Sequence, residues 1–317
     1  MDQVEIIDAH HHLWDIEHNY YPWLRDEPMI PFRYGDYSRI RRSFMPEDYA
    51  LATHGFNVVG NVTMEGEWDP TDPVGETRWI HRIAAEHGIP HAHVAQAWLD
   101  HDDVEETLAA QASFPLVRSI RHKPRVARSP DLIDPDLPGS MSDPRFRRGY
   151  ALLSRFGLHF DLQVPWWHLA QARSLTEAFP ETTIILNHTG LPSDRSREGL
   201  EGWRAAMRML AVFPKAYVKI SGLGLAGRAW SIDDNRGVIR DTIGIFGVER
   251  CMFASNFPVD SLVGDFRTIM GGFLEAVRDF SAPERRRLFR DNASEVYRPL
   301  RLVARRKKHS RDEHDDE

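Results

Sequence analysis

The chain has 317 residues, 42% of them hydrophobic and 27% charged, which supports a sizeable core and excludes a disordered chain. Forty Lys and Arg against 47 Asp and Glu give a formal charge of −7, which argues against nucleic-acid binding because such modules concentrate positive charge. The single cysteine, Cys251, excludes an internal disulfide framework and a multi-cysteine metal site. No apolar run approaches the ~20 residues of a bilayer span, so no membrane partner is expected. The acidic start, Met1 to Glu5, does not read as a secretory leader, and a cytoplasmic globular protein is expected.

In chain order, eight short apolar runs close on polar or glycine-bearing sequence: 4–10, 56–64, 91–98, 116–121, 158–164, 183–188, 216–221 and 250–256. Helical spacing fills the gaps at 77–87, 103–114, 168–179, 200–213 and 235–246. Trp79, Ile80 and Ile83 mark the first of these helices, and Gly88 is its expected stop. Strands alternating with helices imply parallel pairing, and eight repeats predict an α/β fold closed into a (β/α)8 TIM-like barrel. One domain is expected over residues 1–303, with 304–317 a solvated charge run whose histidines are not ligands. Two segments break the repeat. Residues 14–50 are aromatic and proline-bearing and follow strand one, so an insertion over the barrel mouth is expected. Residues 123–148 form a long loop after strand four.

In a parallel barrel the chemistry sits at the carboxyl ends of the strands. Strand one ends Asp8-Ala9-His10-His11-His12. Alternation puts His10 and His12 on one face with Ile6 and Asp8, and His11 on the other. Two imidazoles at one strand end suit a divalent metal, or else are packed, hydrogen-bonded histidines. Strand six closes on His188, either a ligand or acid–base group or a core histidine. Strand eight closes on Ser255 and Asn256, polar where a plain core would be apolar. Strand four ends Arg118-Ser119-Ile120-Arg121-His122-Lys123, a positive cluster that either grips a carboxylate or is an exposed strand end.

Together these residues resemble the amidohydrolase superfamily, within it the amidohydrolase-related TIM-barrel hydrolases that include sugar-lactone and pyrone-dicarboxylate lactonases. The carriers are Asp8 to Asp15, Ile120-Arg121-His122, Asn187 to Pro192, Val218 to Gly222 and Met252 to Pro258, and the likeness spans about residues 4–300. The resemblance implies that His10, His12 and His188 face a metal site, with zinc the expected ion if one divalent metal is bound. A metal-free site, where the imidazoles and Arg121 stabilise charge on an ester carbonyl, is the other reading. Much of the family carries an aspartate at the end of strand eight that handles the proton of the attacking water. Here Asn256 stands there, and an amide cannot ionise. Asp260 and Glu65 are then the candidate bases. Strand five offers Gln163 rather than a ligating histidine, and Lys219 on strand seven reads as structural.

The function expected is a hydrolase opening a small polar lactone, with or without a carboxylate substituent. His188, Asn256, Arg121 and Asp260 are the catalytic candidates. Arg121, His122, Gln163, Glu65 and Trp14 are the substrate-binding candidates. Tyr20, Tyr21 and Trp23 are expected partly over the substrate ring and partly in packing. The alternatives are a decarboxylase of an aromatic or unsaturated acid on the same scaffold, and a barrel that binds a ligand without turnover. The expected partner is a small molecule, with a homo-oligomer left open.

Overall fold

The structure, a computed structural model, describes residues 4–300. Eight strands, each joined in parallel to the next, run β1 (Glu5–His11), β2 (Asn57–Met64), β3 (Ala92–Gln96), β4 (Val117–Arg121), β5 (His159–Leu162), β6 (Ile184–Leu186), β7 (Ala216–Ile220) and β8 (Cys251–Phe253). Beside them lie α1 (Pro22–Arg25) and α2 (Pro46–Ala52) in the insertion, then α3 (Pro73–His87), α4 (Val104–Ala112), α5 (Pro144–Leu152), α6 (Leu169–Ala178), α7 (Arg197–Ala211), α8 (Ile232–Phe246) and α9 (Phe266–Ala276). Two short helices, α10 (Ala282–Arg286) and α11 (Asn292–Tyr297), end the described chain. The (β/α)8 barrel predicted from the eight apolar runs is the fold observed, and every run overlaps one strand. The charged tail lies outside the described residues.

Local chemistry sets the helix ends. Ser196, Ser231 and Asp265 each accept a backbone N–H in the first turn of α7, α8 and α9, removing one orphan donor per helix. Gly88 ends α3 at φ +78°, a conformation that costs glycine little. The helix that opens at Pro144 and α9 carried no signal read from the sequence, so the 123–148 loop is shorter than expected.

Alternation divides the strands into two apolar sets. Ile6, Ile120, Phe160, Leu162, Val218 and Ile220 face the helices in one large core. Ile7, Ala9, Val62, Met64, Val94, Ile185, Met252 and Ala254 fill the barrel lumen, and Ala293, Val296 and Tyr297 of α11 plug it. A fully buried ion pair crosses the lumen: Lys219 Nζ lies 2.7 Å from an Asp161 carboxylate oxygen. The Tyr297 hydroxyl (2.9 Å) and Asn187 Nδ2 (2.9 Å) also donate to that carboxylate. Burial pushes the Lys219 ammonium down to about 8, while Asp161 opposes that shift. Lys219 is thus structural, as its place in the sequence suggested.

Ile7 and Ala9, not Ile6 and Asp8, point into the lumen. Between Asp8 and His11 the β1–β2 register slips by one residue, three steps on β1 matching two on β2. Such a bulge inverts the alternation. Asp8 consequently faces outward, accepting from the Tyr49 hydroxyl of α2 (2.9 Å), Ser255 N (2.8 Å) and Ser255 Oγ (2.6 Å). The shared parity expected for Asp8 and His10 is corrected by this bulge.

Lys219→Met would leave the Asp161 charge unmatched in the lumen. The expected loss is about 3–5 kcal/mol of unfolding free energy, read from the denaturant midpoint at unchanged slope.

Candidate active site

The mouth is built around the seam between β8 and β1. Beyond β8 the chain continues alongside β1: Asn256 N donates to His10 O (2.7 Å) and His12 N donates to Phe257 O (2.7 Å). These two bonds fix His10, His12 and Asn256 relative to one another through main chain. Asn256 sits at φ +56°, a left-handed conformation that asparagine tolerates better than most residues. After β6 a longer left-handed run, His188 (φ 54°), Thr189 (φ 51°), Gly190 and Leu191 (φ 53°), turns the chain sharply and swings His188 inward. A β-branched threonine in that region is a true outlier, and each such residue costs on the order of 1–3 kcal/mol. Trp203 Nε1 of α7 holds the turn by donating to Thr189 O (2.8 Å).

The three predicted imidazoles meet. The His10 ring centre lies 5.3 Å from that of His12 and 4.6 Å from that of His188. His11 turns the other way and packs on Tyr49 at 4.3 Å. Desolvation by burial holds His10, His12 and His188 well below the ordinary imidazole range, and the nearby Arg33, Arg121 and Lys219 charges add to it. All three are therefore neutral at pH 7. Both ring nitrogens of His10 and Nδ1 of His12 are buried without a hydrogen-bond partner, whereas His188 Nδ1 pairs with Ser221 Oγ at 2.8 Å. Gly222 is confined by this packing, since a Cβ there would stand 2.6 Å from His188 Nδ1 and 2.9 Å from Arg33 Nη2.

Three imidazoles on one tetrahedral ion hold their ring centres about 5 Å apart, given metal–nitrogen bonds of about 2.0–2.1 Å. The spacing and neutral state of these rings suit a divalent ion, and the His188–Ser221 contact is of the kind that orients a ligating imidazole. Among the described residues, however, no three His, Cys, Asp or Glu side chains gather their donor atoms as a metal-holding group. The set fits a metal in the kind of donor, not in finished arrangement.

A cavity of about 350 Å³ opens over this cluster, lined by His12, His188, Asn256, Arg121, Gln163, Trp23, Phe32, Arg33 and Lys123 among others. A second, of about 400 Å³, shares Trp23, Ile30, Glu67 and Lys123 with it and adds Trp68, Trp98 and Glu65. Arg121 is committed within the protein: Nε bonds Glu65 Oε1, Nη2 bonds Glu65 O (2.6 Å), and Nη1 reaches Gln163 Oε1 (3.2 Å). Glu65 is thereby tied to Arg121 and to Glu67 N (2.8 Å), which leaves it poorly placed as a base. Asp260 lies buried behind Asn256. Its Oδ1 accepts from Asn256 Nδ2 (2.6 Å) and the Tyr34 hydroxyl (2.9 Å), Arg33 Nη2 stands 3.6 Å away, and Oδ2 has no partner. Desolvation raises its pKa above the usual carboxylate value against these neighbours.

Two binding candidates sit elsewhere. His122 does not line the cavity: its Nδ1 accepts from Leu99 N (3.1 Å), and its ring packs on Trp98 and Phe146. Burial pushes its pKa down to about 4. It follows Arg121 on a strand whose alternate residues face the helices, which accounts for the misplacement. Trp14 is fully buried, donates to Arg42 O (2.8 Å) and supports Trp23 edge-on. Of the insertion aromatics named from sequence, only Trp23 reaches the cavity. Tyr21 is buried against Trp68, and Tyr20 lies outside on Asp26. The residue missed was Arg33. Its only signal was a lone cation between Phe32 and Tyr34 in a segment expected to cover the mouth.

A histidine-lined (β/α)8 mouth of this construction defines a hydrolase-type barrel. Residues 7–298 match the amidohydrolase family, Amidohydro_2, and the chain belongs to that family and is a hydrolase. It is 39% identical over 94% of its length to the whole of an uncharacterized protein, y4mH, of Sinorhizobium fredii. It is 27% identical over 92% of its length to 95% of an L-fucono-1,5-lactonase of Burkholderia ambifaria. An amidohydrolase of Burkholderia multivorans crystallised with bound zinc shares the fold, with TM-score 0.76 and 23% identity over 93% of this chain and 99% of that one. No described helix is long and apolar enough to cross a membrane.

Asp260→Asn keeps an acceptor for Asn256 and Tyr34 while removing a charge whose burial is unfavourable. Because the folded-state pKa is raised, the native state is penalised once pH exceeds the unfolded value and in full above the folded one. The variant is expected to melt higher than the parent at pH 7, with the gap closing as pH falls toward about 4.

Proposed function

We propose that the protein hydrolyses a small polar lactone at the barrel mouth. Water attacks the ring carbonyl, the ring oxygen leaves, and a hydroxy acid is released. The observation that carries this reading is the meeting of three buried, neutral imidazoles at the ends of β1 and β6, two of which, His12 and His188, line a cavity of about 350 Å³. That volume suits a single sugar-sized ring, and kinship with the Burkholderia ambifaria L-fucono-1,5-lactonase supports a sugar-type lactone as substrate class.

The residues divide the work by chemistry. With the proton on Nδ1 donated to Ser221 Oγ, His188 leaves Nε2 as an acceptor for a proton of the attacking water. Its lowered pKa keeps it in the base form across neutral pH. Negative charge growing on the substrate offsets the surrounding cations as the proton arrives, and the same nitrogen then returns it to the leaving oxygen. Asn256 has its amide nitrogen tied to Asp260, so Oδ1 is the atom left to hold the water. Asp260 is a positioning residue here, one layer behind the cavity. Arg121 and Arg33 aim N–H groups at the oxyanion. Held by Glu65, Arg121 acts as a fixed dipole that need not reorganise. Gln163 offers a hydrogen bond to a substrate hydroxyl, and Trp23 and Phe32 cover the ring. His10 and His12 are the residues that would hold a divalent ion, which when bound would supply Lewis-acid polarisation of the carbonyl, while His188 keeps Nε2 for the proton.

His12→Ala and His188→Ala are each expected to cut kcat by about 10²–10⁴-fold on a panel of aldonolactones, with thermal unfolding little changed. Acid release followed by pH indicator reads the rate, and parent-like turnover in either variant would remove the site. Elemental analysis of untreated protein is expected to find about one divalent ion per chain, lost in His10→Ala. Two ions per chain would contradict this donor set.

A further inference from the structure

The cations of the mouth have carboxylate partners: Arg121 with Glu65, Lys123 with Glu67, Lys219 with Asp161. In one neighbouring cavity the pairing is incomplete: Arg33 meets Asp260 at 3.6 Å and Arg228 meets Asp234 at 3.2 Å, but Arg195 bonds the neutral Asn235 instead. This cavity holds about 490 Å³, shares Arg33 and Leu191 with the histidine cavity, and is lined by Arg33, Arg195 and Arg228, with no Asp or Glu in its lining. The three guanidinium groups come from three separate segments: the insertion, the loop after β6 and the loop after β7.

Their donors are not spent. Arg195 gives only Nη2 to the protein, to Asn235 Oδ1 (3.1 Å) and Leu223 O (3.3 Å), while its Nε and Nη1 are buried without partners. Nη1 of Arg33 is likewise buried and unpaired. Arg228 touches Asp234 at 3.2 Å but remains largely exposed. A guanidinium left without a carboxylate is costly to bury, so a cavity lined by three arginines and by no Asp or Glu favours an anion. One guanidinium satisfies a carboxylate through two parallel bonds. Three lining one cavity from separate segments suit a group with more acceptor oxygens.

We propose that this cavity binds a tetrahedral oxyanion of the phosphate type, and that in the substrate this group is the anionic arm of the lactone whose ring lies at His188. Arg33, common to both cavities, then bridges ring and arm. The arm assignment rests on the lactone reading; binding of the oxyanion itself does not.

Isothermal titration of inorganic phosphate into the whole protein at low ionic strength tests the site without turnover. The expected result is saturable binding at one site, at least about tenfold tighter than acetate and weakened about tenfold or more by Arg195→Gln and by Arg228→Gln. Arg195 also braces Leu223, so the exposed Arg228 provides the variant that leaves the fold intact. Absence of phosphate binding, parity with acetate, or undiminished binding in Arg228→Gln would overturn the site. For the arm, the ratio of kcat/KM on a phosphorylated lactone to that on its unphosphorylated parent is expected to fall about tenfold in Arg228→Gln; an unchanged ratio would overturn it. Phosphate binding with no lactone turned over sinks the lactone reading and keeps the site. Turnover without phosphate binding does the reverse.

Discussion

The closure of the barrel between β8 and β1 is the constraint on which the site depends. Only a few main-chain bonds join these strands, and two of them, Asn256 N to His10 O and His12 N to Phe257 O, belong to residues whose side chains enter the mouth. Asp8 locks the same seam from the outside by accepting from Ser255 N, Ser255 Oγ and the Tyr49 hydroxyl. Closing the sheet and placing His10 and His12 are thus one event. The bulge before His11 is part of the same solution, because it lets Asp8 face outward to hold the seam while His10, two residues on, faces inward. Without it, regular alternation would send both to the same side.

Around this frame the electrostatics follow a common rule. Each cation at or below the mouth is met by a carboxylate set back from the cavity, so fixed positive charge is delivered without a large net field. The imidazoles among these pairs stay neutral because burial and neighbouring cations both oppose protonation. Such a site stabilises negative charge as it develops and has little hold on a neutral ground state, which is the asymmetry that catalysis requires. In the arginine cavity Arg33 and Arg228 keep such partners, Asp260 and Asp234, and Arg195 stands apart with its Nε and Nη1 unpaired.

How much of this was legible in the sequence depended on the range of the interaction involved. The strands were, because each apolar run is local and all eight share one pattern. The meeting of His10, His12 and His188 followed once the barrel was assumed, since strand ends of a closed sheet share one rim. What failed needed contacts between remote segments. The orientation of Asp8 turned on a bulge that sequence does not mark. The burial of His122 turned on Trp98 and Phe146 filling the space beside it. Arg33 reaches the cavity only because a 37-residue insertion folds back over the mouth (residues 14–50), and no periodicity predicts that path. Arg121 was read as a free clamp because its bond to Glu65 joins β4 to the end of β2.

The replacement of the family aspartate by Asn256 also becomes intelligible. A carboxylate is still present, but as Asp260, one layer back, with its Oδ1 2.6 Å from the Asn256 amide nitrogen. Restoring aspartate at position 256 would set two carboxyl groups against each other at that distance in a desolvated site. Like charges so close cannot both ionise, and one proton would be shared between them. Asn256 and Asp260 therefore function as a unit: the amide is the group that Asp260 can orient without repulsion, and it passes the orienting effect to whatever its Oδ1 holds. On the proposed reading, the proton chemistry then falls to the imidazoles. In this chain His188, braced by Ser221 on one side and facing the cavity with its other nitrogen, is the residue geometrically prepared to take it.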